Sequence, residues 1–254
     1  MTQLTLLTRT QSVGQLKQIE KLLNTSFEDL NVETEVVTAP EGRWVQVTLS
    51  GEDEAIATNF IRKEFGLCPA SLENVEKLAT LKGYIVNLGK NQDALLVDVG
   101  VVKPEIVYAN IPLRHLQATL ADGRKLALKK IVELFGFCND MPINVKVIAV
   151  NGEENVVEAE LAKGQLERFT AWRESLLDKL IVLGAAVSEV KRMLKYTGLD
   201  RDIITIESLG MFEHALTCKL GTDAAGLISK IGSNLRTSRF VVFNPRRIKE
   251  IIES

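Results

Sequence analysis

The residues able to do chemistry are few and scattered along the chain. The two histidines, His115 and His214, lie 99 positions apart, and neither sits in an HExxH-type ligand spacing. The three cysteines, Cys68, Cys138 and Cys218, show no CxxC spacing and are odd in number. That pattern argues against a disulfide framework and against a structural zinc site. Glu207, Glu213 and Asp223 fall near one another in sequence with Cys218 close by, so an acid/base pair or a thiol nucleophile can be drawn there. The plainer reading has Cys218 as a small buried hydrophobe and the carboxylates on the surface. Gly221-Thr222-Asp223-Ala224-Ala225-Gly226 joins a strand to a helix, where free N–H groups favour anions, but Asp223 would oppose a phosphate and could cap the helix itself. Neither GxxxxGK[ST] nor GxGxxG occurs. No catalytic residue, metal ligand or cofactor is therefore assigned, and the balance leans away from an enzyme.

Charge points to binding. The net charge is -2, so the whole-chain basic balance usual in phosphate-binding proteins is absent and any nucleic-acid surface must be local. Between Ala224 and Lys249 there is no Asp or Glu, while Lys230, Arg236, Arg239, Arg246, Arg247 and Lys249 interleave with Phe240 and Phe243. Cations among aromatics suit a phosphate-bearing partner; the competing reading is a solvated face over core phenylalanines. A smaller basic group holds Arg114, His115, Arg124, Lys125, Lys129 and Lys130.

The elements that must position these residues read as an α+β, multi-domain chain of three modules: 1–78, 79–162 and 163–254. In the first, Leu4–Arg9 alternates as a strand, Ser12 caps a helix with Val13, Leu16, Ile19, Leu22 and Leu23, and Val32–Val37 and Trp44–Leu49 are strands about an Ala39–Gly42 turn. A second helix runs from after Gly51 to Gly66. This βαββα unit can bury one sheet face under two helices and is KH-like or split ferredoxin-like. It carries no GxxG loop, which favours a structural or docking role.

The central module has alternating strands at Gly83–Gly89, Leu95–Val101, Ile106–Ile111, Asn144–Val150 and Val156–Leu161, with a helix at Leu113–Leu120 after the third. Three strands, a helix and two strands is the order of an OB-type β-barrel, a fold that commonly handles single-stranded nucleic acid. An insertion at Ala121–Pro142 holds a helix, Leu126–Phe135, ending at Gly136; it is a binding device or a lid over the barrel mouth. In the third module, Leu166, Phe169, Trp172, Leu176, Leu180 and Leu183 predict one long helix stopping at Gly184, and Ser188 caps the next. Strands at Asp202–Glu207 and Met211–Leu220, a helix opened by Thr222 or Asp223, a strand at Phe240–Phe243 and a helix from Pro245 complete an α/β domain with a helical preface.

Two resemblances bear on function. Lys82-Gly83-Tyr84-Ile85-Val86, Ala94-Leu95-Leu96-Val97-Asp98-Val99-Gly100, Val145-Lys146-Val147-Ile148-Ala149-Val150 and Glu154–Leu161 resemble the RNA-binding repeat of ribosomal protein S-one. The resemblance covers about a third of the chain and implies base stacking on aromatics. Where that repeat carries aromatics on its second strand, this chain has Asp93, Ala94, Leu95 and Leu96, and its histidine position falls near Asn110. Tyr84 and Tyr108 remain as platforms. Cys218–Ile228, Arg201-Asp202-Ile203 and Leu209-Gly210 resemble an uncharacterised archaeal family, a domain of unknown function, which implies archaeal origin but no activity.

The expectation is a non-catalytic RNA-associated factor of archaeal translation or RNA metabolism, with ribosomal or transfer RNA as partner. Phosphates would meet Arg114, Arg124, Lys125, Lys230, Arg236, Arg239, Arg246 and Arg247; bases would meet Tyr84 and Tyr108. The alternative is a protein-interaction adaptor that docks a partner on the barrel, and after that an enzyme using Glu207, Glu213 and Asp223. The start Met-Thr-Gln-Leu-Thr shows no signal peptide and no apolar run has membrane-spanning length, so no membrane partner and a cytoplasmic setting are expected.

Overall fold

A computed structural model of the chain describes residues 1–39 and 43–252. The fold is a mixed α+β, multi-domain one. The described residues form two compact units: one holds Met1–Glu76, Asp98–Tyr108 and Asn151–Asn155, the other the remainder.

The first unit opens with strand β1 (Thr2–Arg9), helix α1 (Val13–Ser26), strands β2 (Val32–Thr38) and β3 (Trp44–Gly51), and helix α2 (Glu54–Glu64). The expected βαββα unit is what forms; Pro40–Gly42 of the expected turn lie outside the described residues. Ser12 starts α1 because its hydroxyl accepts from the Gln15 N–H, filling one orphan donor of the first turn. The sheet is antiparallel in the order β1-β3-β2. Alternation puts Val45, Val47 and Leu49 of the central strand inward with Leu6, Ile19, Leu23, Ala57 and Ile61. A short strand β4 (Ala70–Ser71) follows.

Strands β5 (Thr80–Val86), β6 (Ala94–Lys103) and β7 (Val107–Pro112), helices α3 (Leu113–Leu120) and α4 (Leu128–Phe135), and strands β8 (Pro142–Asn151) and β9 (Val156–Leu161) make a closed five-stranded barrel. Around it the order is β6-β5-β8-β9-β7, with β7 returning to β6. β5 runs antiparallel to β8 and β7 parallel to β9. In the first unit β4 pairs in parallel with β6, Ala70 opposite Val101. Gly136 ends α4 in the left-handed region, φ 63°, where its missing Cβ also admits Val241 and the Val242 backbone.

The last stretch comprises α5 (Lys163–Glu174), β10 (Lys179–Leu183), α6 (Val187–Thr197), β11 (Ile203–Ser208), β12 (Glu213–Cys218), α7 (Ala224–Ile231), β13 (Arg239–Phe243) and α8 (Pro245–Ile252). After α5 this is βαββαβ, with an antiparallel sheet in the order β11-β12-β10-β13, the ferredoxin-like arrangement. α6 and α7 cover one face through Val190, Met193, Leu194, Leu227 and Ile231 over Leu180, Val182 and Leu216.

One expectation fails here. The single helix predicted from Leu166 to Leu183 ends at Glu174, and Leu176 takes φ 54°, incompatible with continuing it. Leu180 and Leu183 belong instead to β10, whose five residues are all buried. A short apolar run buried on both faces has no alternation, so periodicity alone cannot separate it from buried helix. The start of α6 also moves. Ala186, not Ser188, is the cap position, and its N–H donates to Glu189 Oε2 at 2.9 Å. No helix among the described residues is long and apolar enough to cross a membrane.

Candidate nucleic-acid interface

The insertion after α3 has a structural occupation. Phe135 of α4 meets Phe243 of β13 edge-on at 6.1 Å and Phe169 of α5 at 5.7 Å. Phe169 stacks with Phe243 at 6.4 Å, and Trp172 meets Phe243 at 5.2 Å. These rings cover the sheet face opposite α6 and α7. Burying aromatics of this size contributes about 1.5–3 kcal/mol each, which holds α4 and α5 on the sheet. A ferredoxin-like sheet used as an open stacking platform is thereby excluded on this face.

The same packing assembles cations. α8 lies against α4 and α5. Arg124, just before α4, donates from Nη1 to the Ile251 carbonyl at 3.2 Å. Arg247 of α8 pairs with Glu133 of α4, and Lys130 reaches the same carboxylate at 3.4 Å. Arg247 and Lys130 together hold the Glu133 carboxyl below its ordinary range. Lys125, Lys129 and Arg246 are exposed on these elements, and no ion pair among the described residues holds them. Arg124, Lys130 and Arg247, from stretches more than a hundred residues apart in sequence, thus meet on one face, while Arg246 lines a separate cleft with Asp178, Lys219 and Asp223.

Other expected contacts are spent internally or lie elsewhere. Arg114 pairs with Glu158 of β9 at 3.2 Å, and His115 and Lys146 share Glu160. Arg239 is bound to Asp140, a carboxylate only 5% exposed. Lys230 is exposed on α7. Tyr108 is half-buried on β7. Tyr84 is 1% exposed: the turn between β11 and β12 sits on it, with Gly210 so close that a Cβ there would lie 3.6 Å from the hydroxyl. Its ring faces protein rather than solvent. Neighbouring Lys82 is pushed below the ordinary lysine value by burial, with Glu213 opposing that shift.

The three carboxylates drawn as an acid/base site are held by separate partners. Glu207 accepts from Trp172 Nε1 at 3.0 Å and pairs with Arg168 at 2.8 Å. Glu213 is buried beside Gly210. Asp223 caps α7 by accepting from the Ala225 and Gly226 N–H groups at 3.1 and 3.0 Å. Cys218 is fully buried, and desolvation raises its thiol to about 11.

Sequence reasoning missed Arg192 and Tyr196. With Arg236 they line a cleft of about 550 Å³ between α6 and the segment from Ser233 to Ser238. The available signal was their i, i+4 spacing on an amphipathic helix, which places both on one face; Tyr196 is 81% exposed.

No curated protein matches this sequence. Among solved structures, a chain of the a/eIF2alpha-aDim2p-rRNA complex from Pyrococcus horikoshii OT3 is similar at 12% identity over 50% of this chain, with a TM-score of 0.27. The match spans 60% of that chain's own length. The intact alpha subunit of aIF2 from Pyrococcus abyssi is similar at 8% identity, covering 66% of this chain and 97% of its own, with a TM-score of 0.25. The DUF2110 N-terminal domain matches residues 8–71, the DUF2110 central domain 75–173 and the DUF2110 C-terminal domain 177–243, so the chain belongs to the DUF2110 family.

Proposed function

We propose that this protein is a non-catalytic RNA-associated factor of archaeal translation or RNA metabolism. It binds ribosomal or transfer RNA along the barrel and a basic face built from α4 and α8. The observation that carries the reading is the meeting of Arg124 and Lys130 with Arg247 through the Arg124–Ile251 hydrogen bond and the carboxylate of Glu133, with exposed Lys125, Lys129 and Arg246 next to them in sequence. Clustered cations on an otherwise acidic chain concentrate the field where a phosphate backbone can track it. The barrel order and the resemblance to an RNA-binding repeat support the same partner. Tyr108 supplies the stacking platform; Tyr84 serves only if the β11–β12 turn moves off it. A cytoplasmic setting and the division near residues 78 and 162 are parts of this reading.

The test is the salt dependence of binding to single-stranded RNA. Each phosphate contact removed lowers the slope of log affinity against log salt by about 0.7. Alanine at Lys125, Lys129, Arg246 and Arg247 together should flatten it by two or more units. A slope identical to that of the native protein would remove this face from the interface.

A second reading, a protein-interaction adaptor docking its partner on the barrel, is favoured by the internal pairing of Arg114, Arg239 and Arg247 with Glu158, Asp140 and Glu133. It requires a protein that co-purifies in near-stoichiometric amount, with no RNA recovered.

A further inference from the structure

The cleft between α6 and the Ser233–Ser238 segment belongs neither to the α4–α8 face nor to the barrel. Its volume of about 550 Å³ has room for one small ligand. Its wall carries two guanidinium groups from different elements, Arg192 of α6 and Arg236 from the loop after α7. No ion pair among the described residues neutralises either of them. Arg236 is oriented by its Nε–H, which donates to the Ser233 carbonyl at 3.2 Å and leaves its terminal nitrogens for another acceptor. The carboxylate on this wall, Glu189, has an oxygen committed to the Ala186 N–H at the start of α6.

Tyr196 completes the arrangement. It lies one helical turn beyond Arg192, about 6 Å along the axis at 1.5 Å per residue. An aromatic ring and a guanidinium one turn apart on the same helix face suit a nucleotide, whose base and phosphate sit on opposite sides of one ribose. Arginine forks suit phosphate oxygens, and an exposed tyrosine ring offers a base a stacking surface at low entropy cost. Ser233, Asn234 and Thr237 on the same wall are neutral donors and acceptors suited to a ribose or a base edge.

We propose that this cleft binds one nucleoside 5′-phosphate unit, with the phosphate on Arg192 and Arg236 and the base on Tyr196. That unit is either one residue of an RNA strand or a free mononucleotide. The first form rests on the RNA reading above; the second does not.

The experiment uses the full chain and two variants, Arg192→Gln/Arg236→Gln and Tyr196→Leu, each checked for an unchanged melting temperature because all three side chains are solvent-facing. Each protein is titrated with a labelled single-stranded ten-residue RNA, with UMP and AMP, and with uridine and adenosine lacking the phosphate. RNA affinity reduced about tenfold or more in both variants supports the cleft as a strand subsite. RNA bound equally by all three proteins, with mononucleotides either unbound or bound equally by all three, overturns the cleft and leaves the RNA reading standing. Mononucleotide binding without RNA binding, lost in the variants and weaker for the nucleosides, keeps the cleft and removes the RNA reading. Absence of binding to every probe overturns both.

Discussion

The indole Nε1 of Trp44 donates to Asp98 Oδ2 at 3.1 Å, joining the start of β3 to the middle of β6 inside the first unit. Oδ1 accepts the Gly100 N–H at 3.0 Å, and Arg9 Nη1 stands 3.9 Å from Oδ2 with its guanidinium over the Trp44 ring. Trp44, Asp98 and Arg9 are all buried. A charged carboxylate is tolerated there because donors surround it. Asp98→Ala leaves a buried guanidinium without its counter-charge and should cost about 3–5 kcal/mol; Trp44→Phe, removing one donor, should cost about 1–3 kcal/mol. Urea unfolding of both variants measures this, and an unmoved midpoint for Asp98→Ala would show the carboxylate contributes nothing to stability.

Gly100 adds a steric constraint to the same cluster. Its φ is 80°, and a Cβ built on it would lie 2.5 Å from Cys68 Sγ and 2.6 Å from Cys68 Cβ. Gly100→Ala should cost about 2–4 kcal/mol from backbone strain and overlap together. In a Cys68→Gly background the overlap disappears and only the strain remains. A double-mutant cycle reads the coupling; strictly additive losses would contradict the predicted overlap.

His214 predicts an acid sensitivity. It is 1% exposed, its Nε2 lies 3.0 Å from the Ala185 carbonyl, and burial pushes its pKa below 6.5. The unfolded chain therefore binds the histidine proton before the folded chain does, so stability falls as pH drops below about 6.5. The measurement is the difference in unfolding free energy between the native protein and His214→Gln from pH 7.5 to 5. The native protein should lose ground to the variant through that interval. A constant difference would mean the ring is protonated equally in both states.

The three thiols should be inert in the folded state. Burial raises Cys138 to about 12 and Cys218 to about 11, and raises Cys68 further still, with the Asp98 charge adding to the effect. Thiolate is the reactive form, so a disulfide reagent at pH 8 should modify none of them over minutes. All three should react once the chain is denatured. A fast-reacting thiol in the native protein would locate an opening at that residue.

Under the proposed function, Glu133 competes with phosphate for the cations around α4 and α8. Glu133→Gln removes the carboxylate that Arg247 and Lys130 share. An exposed pair of this kind is weak, so RNA affinity at low salt should rise by no more than about fivefold under the proposed function. The gain should fade as salt screens the face. Unchanged affinity at low salt would separate this carboxylate from the binding surface.

Much of the architecture was legible because it is written locally. The Ser12 cap, the Leu113–Leu120 helix, the opening of α7 at Thr222 or Asp223 and the alternating barrel strands depend on neighbours within one or two turns, and periodicity and turn chemistry made them readable. Composition likewise determined that any phosphate-binding surface is local. What the sequence could not contain is which faces are covered. Leu180–Leu183 became a strand because helices α6 and α7 pack one side of it and the α4 and α5 aromatics the other, a decision made by contacts far along the chain. Tyr84 lost its solvent face to a turn more than a hundred residues away. Arg114, Arg239 and Arg247 each found an acid from another element, while Arg192, Tyr196 and Arg236 were brought to one cleft from both sides of the α6–α7 pair. Local backbone preference acts over a few residues, but burial and charge pairing act across space, so only the tertiary structure could decide which polar and aromatic side chains remain available to a partner.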